Sequence, residues 1–187
     1  MDLSSTNIFN FCSLYNLVGI NVNIFDFFEF ENFSLIASDK TAWPNGVYNI
    51  INDRGDEELV NSICSRTLGL STDALIISVD NEELDRNLRK SKRKYFPIER
   101  WVGMYRGISS NEEFGEESAN VIDTISRESD VIEWVQIVSE ELFNCKMLAP
   151  EVFAFLFRNG QKLIALKRDG KIVGTALIYE DEHNVSG

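Results

Sequence analysis

Apolar residues first recur at helical spacing in Ile8, Phe11, Cys12 and Tyr15, at i, i+3, i+4 and i+7. Ser4 and Ser5 stand ahead as capping residues and Gly19 stands beyond, so the spacing predicts a helix that stops at Gly19. The Phe-rich run Phe25 to Ile36 fits neither the helical nor the strand period throughout. Within and after it, Phe33 to Ala37 and Val47 to Ile51 read as strands flanking Trp43-Pro44-Asn45-Gly46, whose Pro-Asn-Gly triplet marks a turn. Leu59 or Val60, Ile63, Cys64 and Thr67 repeat as a second helix, with Asp53 and Asp56 before it and Gly69 after. Ala74 to Val79 is an apolar run of strand length. Asp80 and Glu83 then form an Asp-x-x-Glu capping box for a helix ending near Lys94. A strand over Ile98 to Ile108 precedes the polar segment Ser109 to Ser118, which reads as a boundary.

The second part opens with a strand around Val121 to Ile125. Asp130 and Glu133 make another capping box, and Val131, Trp134, Val135, Val138 and Leu142 hold a helical stripe. Pro150 suits the first turn of a further helix carrying Val152, Phe153, Phe155, Leu156 and Phe157, closed near Asn159-Gly160. Leu163 to Lys167 and Ile172 to Tyr179 are β-rich runs around Arg168-Asp169-Gly170-Lys171, and Asp-Gly is the strong signal for a two-residue hairpin. The order predicts an α+β chain, with a domain over residues 1–110, a linker over 111–118 and a second domain over 119–187.

Composition narrows the classes. A chain of 187 residues with 44% apolar and 26% charged residues is neither disordered nor fibrous. Thirteen Phe against 11 Gly and three Pro indicate a well-filled core. The formal charge of −12 repels phosphate backbones and anionic lipid, which disfavours nucleic acid and membranes as partners. Cys12, Cys64 and Cys145 are odd in number and far apart, so they spell neither a disulfide framework nor a metal knuckle. Met1-Asp2 carries acid where a signal peptide needs a cation, and no apolar run approaches the roughly 18 residues of a span, so the protein is expected in the cytoplasm.

The strand, helix, helix, hairpin order of residues 119–187, with Trp134 on the long helix and the run Leu163 to Tyr179 including Val173-Gly174-Thr175-Ala176, resembles the first half of the GNAT superfamily of N-acetyltransferases. That resemblance implies a mostly antiparallel sheet flanked by helices, with acetyl-CoA as the cofactor of the parent protein and an amine as acceptor. In that family an Arg/Gln-x-x-Gly-x-Gly/Ala loop after the fourth strand binds the cofactor pyrophosphate at a helix start. No such loop follows Tyr179, so the expectation is a unit cut before its cofactor half. Residues 1–110 resemble a compressed, degenerate copy, in which Asn52-Asp53-Arg54-Gly55-Asp56-Glu57-Glu58 puts acids where a pyrophosphate would sit. By the same resemblance Asn144, Met147 and Leu148, between the last two helices, line the acceptor side; the apolar Met147 and Leu148 fit a place in the core equally well. Gly174 would permit close backbone approach beside it. No residue is singled out as catalytic or cofactor-binding.

Other candidates weigh toward structure. His183, the sole histidine, has Asp181 and Glu182 beside it, but sequence neighbours on a strand point to opposite faces and no Gly-x-Ser-x-Gly elbow occurs. No ligand spacing for a metal is present. Arg86, Arg89, Lys90, Lys92, Arg93, Lys94 and Arg100 concentrate positive charge, yet Glu82, Glu83 and Asp85 can pair with it on a solvated helix face. Trp43-Pro44-Asn45 either lines a cleft or packs before a turn. The rival to the transferase is a non-catalytic GNAT-like module that holds a partner protein or small ligand. An unpaired sheet edge at Val185 to Gly187 would then favour a homodimer or strand addition.

Overall fold

The computed structural model describes residues 3–51, 56–70, 75–77, 82–91, 95, 121–144 and 146–181, with backbone alone for 3–8 and 121. These residues form five helices and seven strands in two sheets, an α+β architecture. The chain divides into two compact units, Tyr15–Trp101 and Met1–Leu14 with Val102–Gly187. The cut falls within helix α1 (Leu3–Asn21), so residues 3–14 group with the C-terminal unit rather than with the expected domain 1–110. The expected strand 98–108 and linker 111–118 lie outside the described residues.

In the unit Tyr15–Trp101 the strands β1 (Asp26–Glu29), β2 (Ser34–Ala37), β3 (Gly46–Tyr48) and β4 (Leu75–Ile76) lie in that order. The first two pairings are antiparallel, and β3 pairs with β4 in parallel through the crossover helix α2 (Glu57–Thr67). Helix α3 (Glu82–Lys90) follows. Every residue of β2 and β3 is buried, as in a sheet covered on both faces. Alternation sends Leu35 and Val47 to one face, where they join Phe33 and the inward residues Leu59, Val60 and Ile63 of α2 and Leu84 and Leu88 of α3. On the other face Tyr48 donates its hydroxyl to Asn16 Oδ1 at 2.8 Å and meets the Tyr15 ring edge-on at 5.3 Å.

Helix α1 does not stop at Gly19 but runs on to Asn21. A Cβ at Gly19 would lie 2.8 Å from Phe27 Cδ2 and 2.9 Å from Ile36 Cδ1, so this glycine lets β1 and β2 approach the helix and does not end it.

In the second unit β5 (Val121–Thr124), β6 (Lys162–Arg168) and β7 (Lys171–Ile178) form an all-antiparallel sheet in that order. The hairpin turn has Asp169 at φ 51° and Gly170 at φ 75°, the paired positive values that suit a right-twisted two-residue connection. Helices α4 (Glu128–Glu141) and α5 (Pro150–Arg158) separate β5 from β6. Val131, Trp134, Val135 and Val138 of α4, with Val152, Phe153 and Leu156 of α5, are buried together with Leu163 and Ala165 of β6. Trp134 anchors helix to sheet: its Nε1 donates to the Ile164 carbonyl at 2.9 Å, and its ring lies 5.3 Å from that of Phe153.

Two details differ from expectation. Helix α4 begins at Glu128 with Arg127 as its cap residue, so Asp130 sits in the first turn and accepts Arg127 Nε at 3.2 Å instead of capping the helix. Leu142 is the C-terminal cap and 70% exposed, because the stripe ends with the helix.

Candidate functional site

The connection between α4 and α5 shapes a surface groove that two of the expected acceptor-side residues share. Beyond Leu142 the chain turns at Asn144, which adopts the left-handed φ of 49° that asparagine tolerates. Pro150, fixed at the first turn of α5, brings the chain back. Of the two apolar residues between them, Leu148 is 2% exposed and packs inward, whereas Met147 is 67% exposed. A groove of about 430 Å³ lies here. Helix α4 supplies Ile132, Val135, Gln136, Ser139 and Glu140, and the loop side supplies Met147, Leu148 and Pro150.

Met147 and Leu148 are thus brought together at the groove. Asn144 and Gly174 are not among its lining residues. Gly174 pairs with Leu166 in the β6–β7 register, and a Cβ there would lie 3.4 Å from Leu166 Cβ, so no close backbone approach requires glycine. The helix wall went unread in the sequence. Its signal is the i, i+4, i+7 row Ile132, Gln136 and Ser139, set beside the core stripe and carrying an isoleucine that is 63% exposed.

Helix α4 carries five carboxylates and no Lys or Arg. Glu128 pairs with Arg158 at 3.0 Å and Asp130 with Arg127 at 3.2 Å. Glu133, Glu140 and Glu141 have no cationic partner among the described residues, and Glu140 Oε1 accepts the Gln136 amide at 2.9 Å. Glu140 and Glu141 also sit at the helix C-terminus, where unsatisfied carbonyls already make the potential negative. The groove therefore joins an apolar floor to one carboxylate, Glu140, with the exposed Lys146 next to Met147 on the loop side. On β5, Lys167 hydrogen-bonds Asp123 at 2.9 Å, and this bond, with the lysine charge, holds the Asp123 carboxyl below its ordinary value.

The remaining sequence candidates have structural places. Asn45 Oδ1 accepts the Ser38 N–H at 2.6 Å and its Nδ2 donates to the Thr41 carbonyl at 2.8 Å, which closes the 38–45 loop on itself. Trp43 meets Tyr15 edge-on at 5.8 Å. Arg86, Arg89 and Lys90 are exposed on α3 while Leu84 and Leu88 face inward. Lys92, Arg93, Lys94, Arg100, Cys145, His183 and Val185 to Gly187 lie outside the described residues. Among the described residues, no three His, Cys, Asp or Glu gather as metal ligands, and no helix is long and apolar enough to cross a membrane.

The start of α2, which follows the third strand, is the junction at which the resemblance sets acids in place of a pyrophosphate. Here the Leu59 N–H donates to Asp56 Oδ1 at 2.9 Å, and Glu57 and Glu58 follow in the first turn. The helix end is already occupied by its own carboxylate, and two further carboxylates repel an incoming phosphate. These residues do not fit acetyl-CoA. Helices α4 and α5 likewise open on acids, Glu128 with Asp130 and Glu151. Comparison with protein-family models, with curated proteins and with solved structures gives no match.

Proposed function

We propose that this chain serves the acceptor side of acetyl-CoA-dependent N-acetyl transfer, holding an amine in a GNAT-like frame in the cytoplasm. The observation that carries the reading is the strand, helix, helix, hairpin order of the C-terminal unit, its three strands all antiparallel, with a groove at the α4–α5 connection. The N-terminal unit supports it with three antiparallel strands, a crossover helix and a parallel fourth strand. Since the starts of α2, α3, α4 and α5 carry acids, no transfer step is assigned to these residues. Their part is to bind and orient the amine.

A second reading, a non-catalytic GNAT-like module, is favoured by the Asp56 cap at α2. Two measurements on the whole chain separate them: thermal unfolding with amines or acetyl-CoA added, and release of the CoA thiol when both are present. A ligand at about 100 times its dissociation constant adds roughly 2.7 kcal/mol to the native state. Thiol release that saturates with amine supports transfer. Stabilisation by amines without thiol release supports the module. Unfolding unmoved by any amine, with no thiol release, overturns the transfer reading.

A further inference from the structure

We propose that the outer edge of β1 receives an extended basic peptide segment, which adds to the sheet of the N-terminal unit as a further strand. β1 stands at the end of the sheet order and pairs with β2 alone. The Phe30 N–H donates to the Phe33 carbonyl at 2.9 Å, so the bonded pairs of this antiparallel ladder alternate onward through Phe28 with Leu35 and Asp26 with Ala37. The N–H and C=O of Phe27 and Glu29 therefore point away from β2, and among the described residues nothing bonds them. Such a row is a template for another strand. Its charge decides which strand. Asp26, Glu29 and Glu31, in the turn that follows, are exposed and have no ion pair among the described residues. Arg66 lies over the Phe30 ring, its Cζ 4.8 Å from the centroid, and Lys40 lies beyond the strand, three residues past the Ala37 that pairs with Asp26. The edge stays negative, which repels a second copy of itself and attracts a cationic strand. The pleat sets the pattern of that strand. Phe28, 48% exposed, shares one face with Phe30, their rings stacked at 6.2 Å, and Glu29 takes the opposite face. The partner thus alternates an apolar residue beside Phe28 with Lys or Arg beside Glu29.

The probe is the acetylated and amidated peptide Lys-Val-Lys-Val-Lys, titrated into the isotope-labelled whole chain while hydrogen exchange is followed at each amide by nuclear magnetic resonance. The Phe27 and Glu29 amides should exchange about ten-fold more slowly once nine sites in ten are filled, because exchange then proceeds from the empty remainder. The Phe28 amide, already in the ladder, should change little. Glu29→Gln should weaken the peptide about two- to five-fold, the range of an exposed opposite-charge pair. Raised salt should weaken it in the unaltered chain as well, which keeps the test independent of the variant's folding. Phe27 and Glu29 amides unprotected by the peptide overturn the proposal. Equal protection by Glu-Val-Glu-Val-Glu overturns the charge selection, and equal protection by the lysine peptide with its backbone amides methylated overturns strand addition. Protection that rises with chain concentration alone overturns the proposal in favour of a second copy.

Discussion

Replacing Gly19 by alanine sets two effects of known size against each other. Inside a helix, alanine is favoured over glycine by about 1 kcal/mol. The added Cβ, however, would lie 2.8 Å from Phe27 Cδ2 and 2.9 Å from Ile36 Cδ1, inside any normal contact distance. Phe27 is half-buried and its ring end can swing outward, whereas Ile36 is fully buried and cannot. Overpacking of this kind costs about 1–3 kcal/mol, and with one of two collisions cheaply relieved a middle value of about 2 kcal/mol applies. The net expectation is a loss of about 1 kcal/mol. Urea unfolding followed by far-ultraviolet circular dichroism reads this as a midpoint lowered by about half a molar, for a slope near 2 kcal/mol per molar. Gly69→Ala is the control, because a Cβ there meets nothing within 4 Å. It should be neutral or slightly stabilising. If Gly19→Ala stabilises the chain as Gly69→Ala does, the close-approach explanation of Gly19 is wrong.

Asp56→Ala should cost about 1 kcal/mol through the lost cap of α2 while Asp56→Asn stays near the original stability, measured in the same urea series. Trp134→Phe should cost about 2–3 kcal/mol, combining the lost bond to Ile164 with lost core volume, and a cost below 0.5 kcal/mol would deny Trp134 its anchoring role. The Asp123 carboxyl titrates below its ordinary 3.8 in the folded chain. Its contribution is therefore fully present above that value and lost as pH falls through the folded one, so Asp123→Asn and the original chain should differ at neutral pH and converge in strong acid. A gap that widens in acid would reverse the sign and refute the pairing with Lys167.

Local chemistry explains which parts were legible. The hairpin was readable because Asp169-Gly170 takes the two positive φ values that few other pairs accept. The α4 stripe was readable because four of its apolar residues recur on one helix face and are buried. Gly19 misled because a glycine that ends a helix and one that admits a neighbouring strand look alike until the neighbour is in place. The start of α4 was missed by three residues because Arg127 offers no capping side chain to mark it. At the candidate site, adjacent loop residues gave no periodicity to separate the inward Leu148 from the outward Met147. The wall opposite them belongs to a helix face that sequence reading treats as solvent.

The carboxylate at the start of α2 has a further consequence. A helix that waits for an external anion ties its own integrity to the supply of that anion. With Asp56 seated on the Leu59 N–H, the N-terminal unit carries its counterion in its covalent chain. No dissociation equilibrium governs that contact, so cofactor levels should leave the firmness of this helix end unaltered. The unit is thereby suited to act as a constant scaffold, with responsiveness to ligands left to other surfaces of the chain.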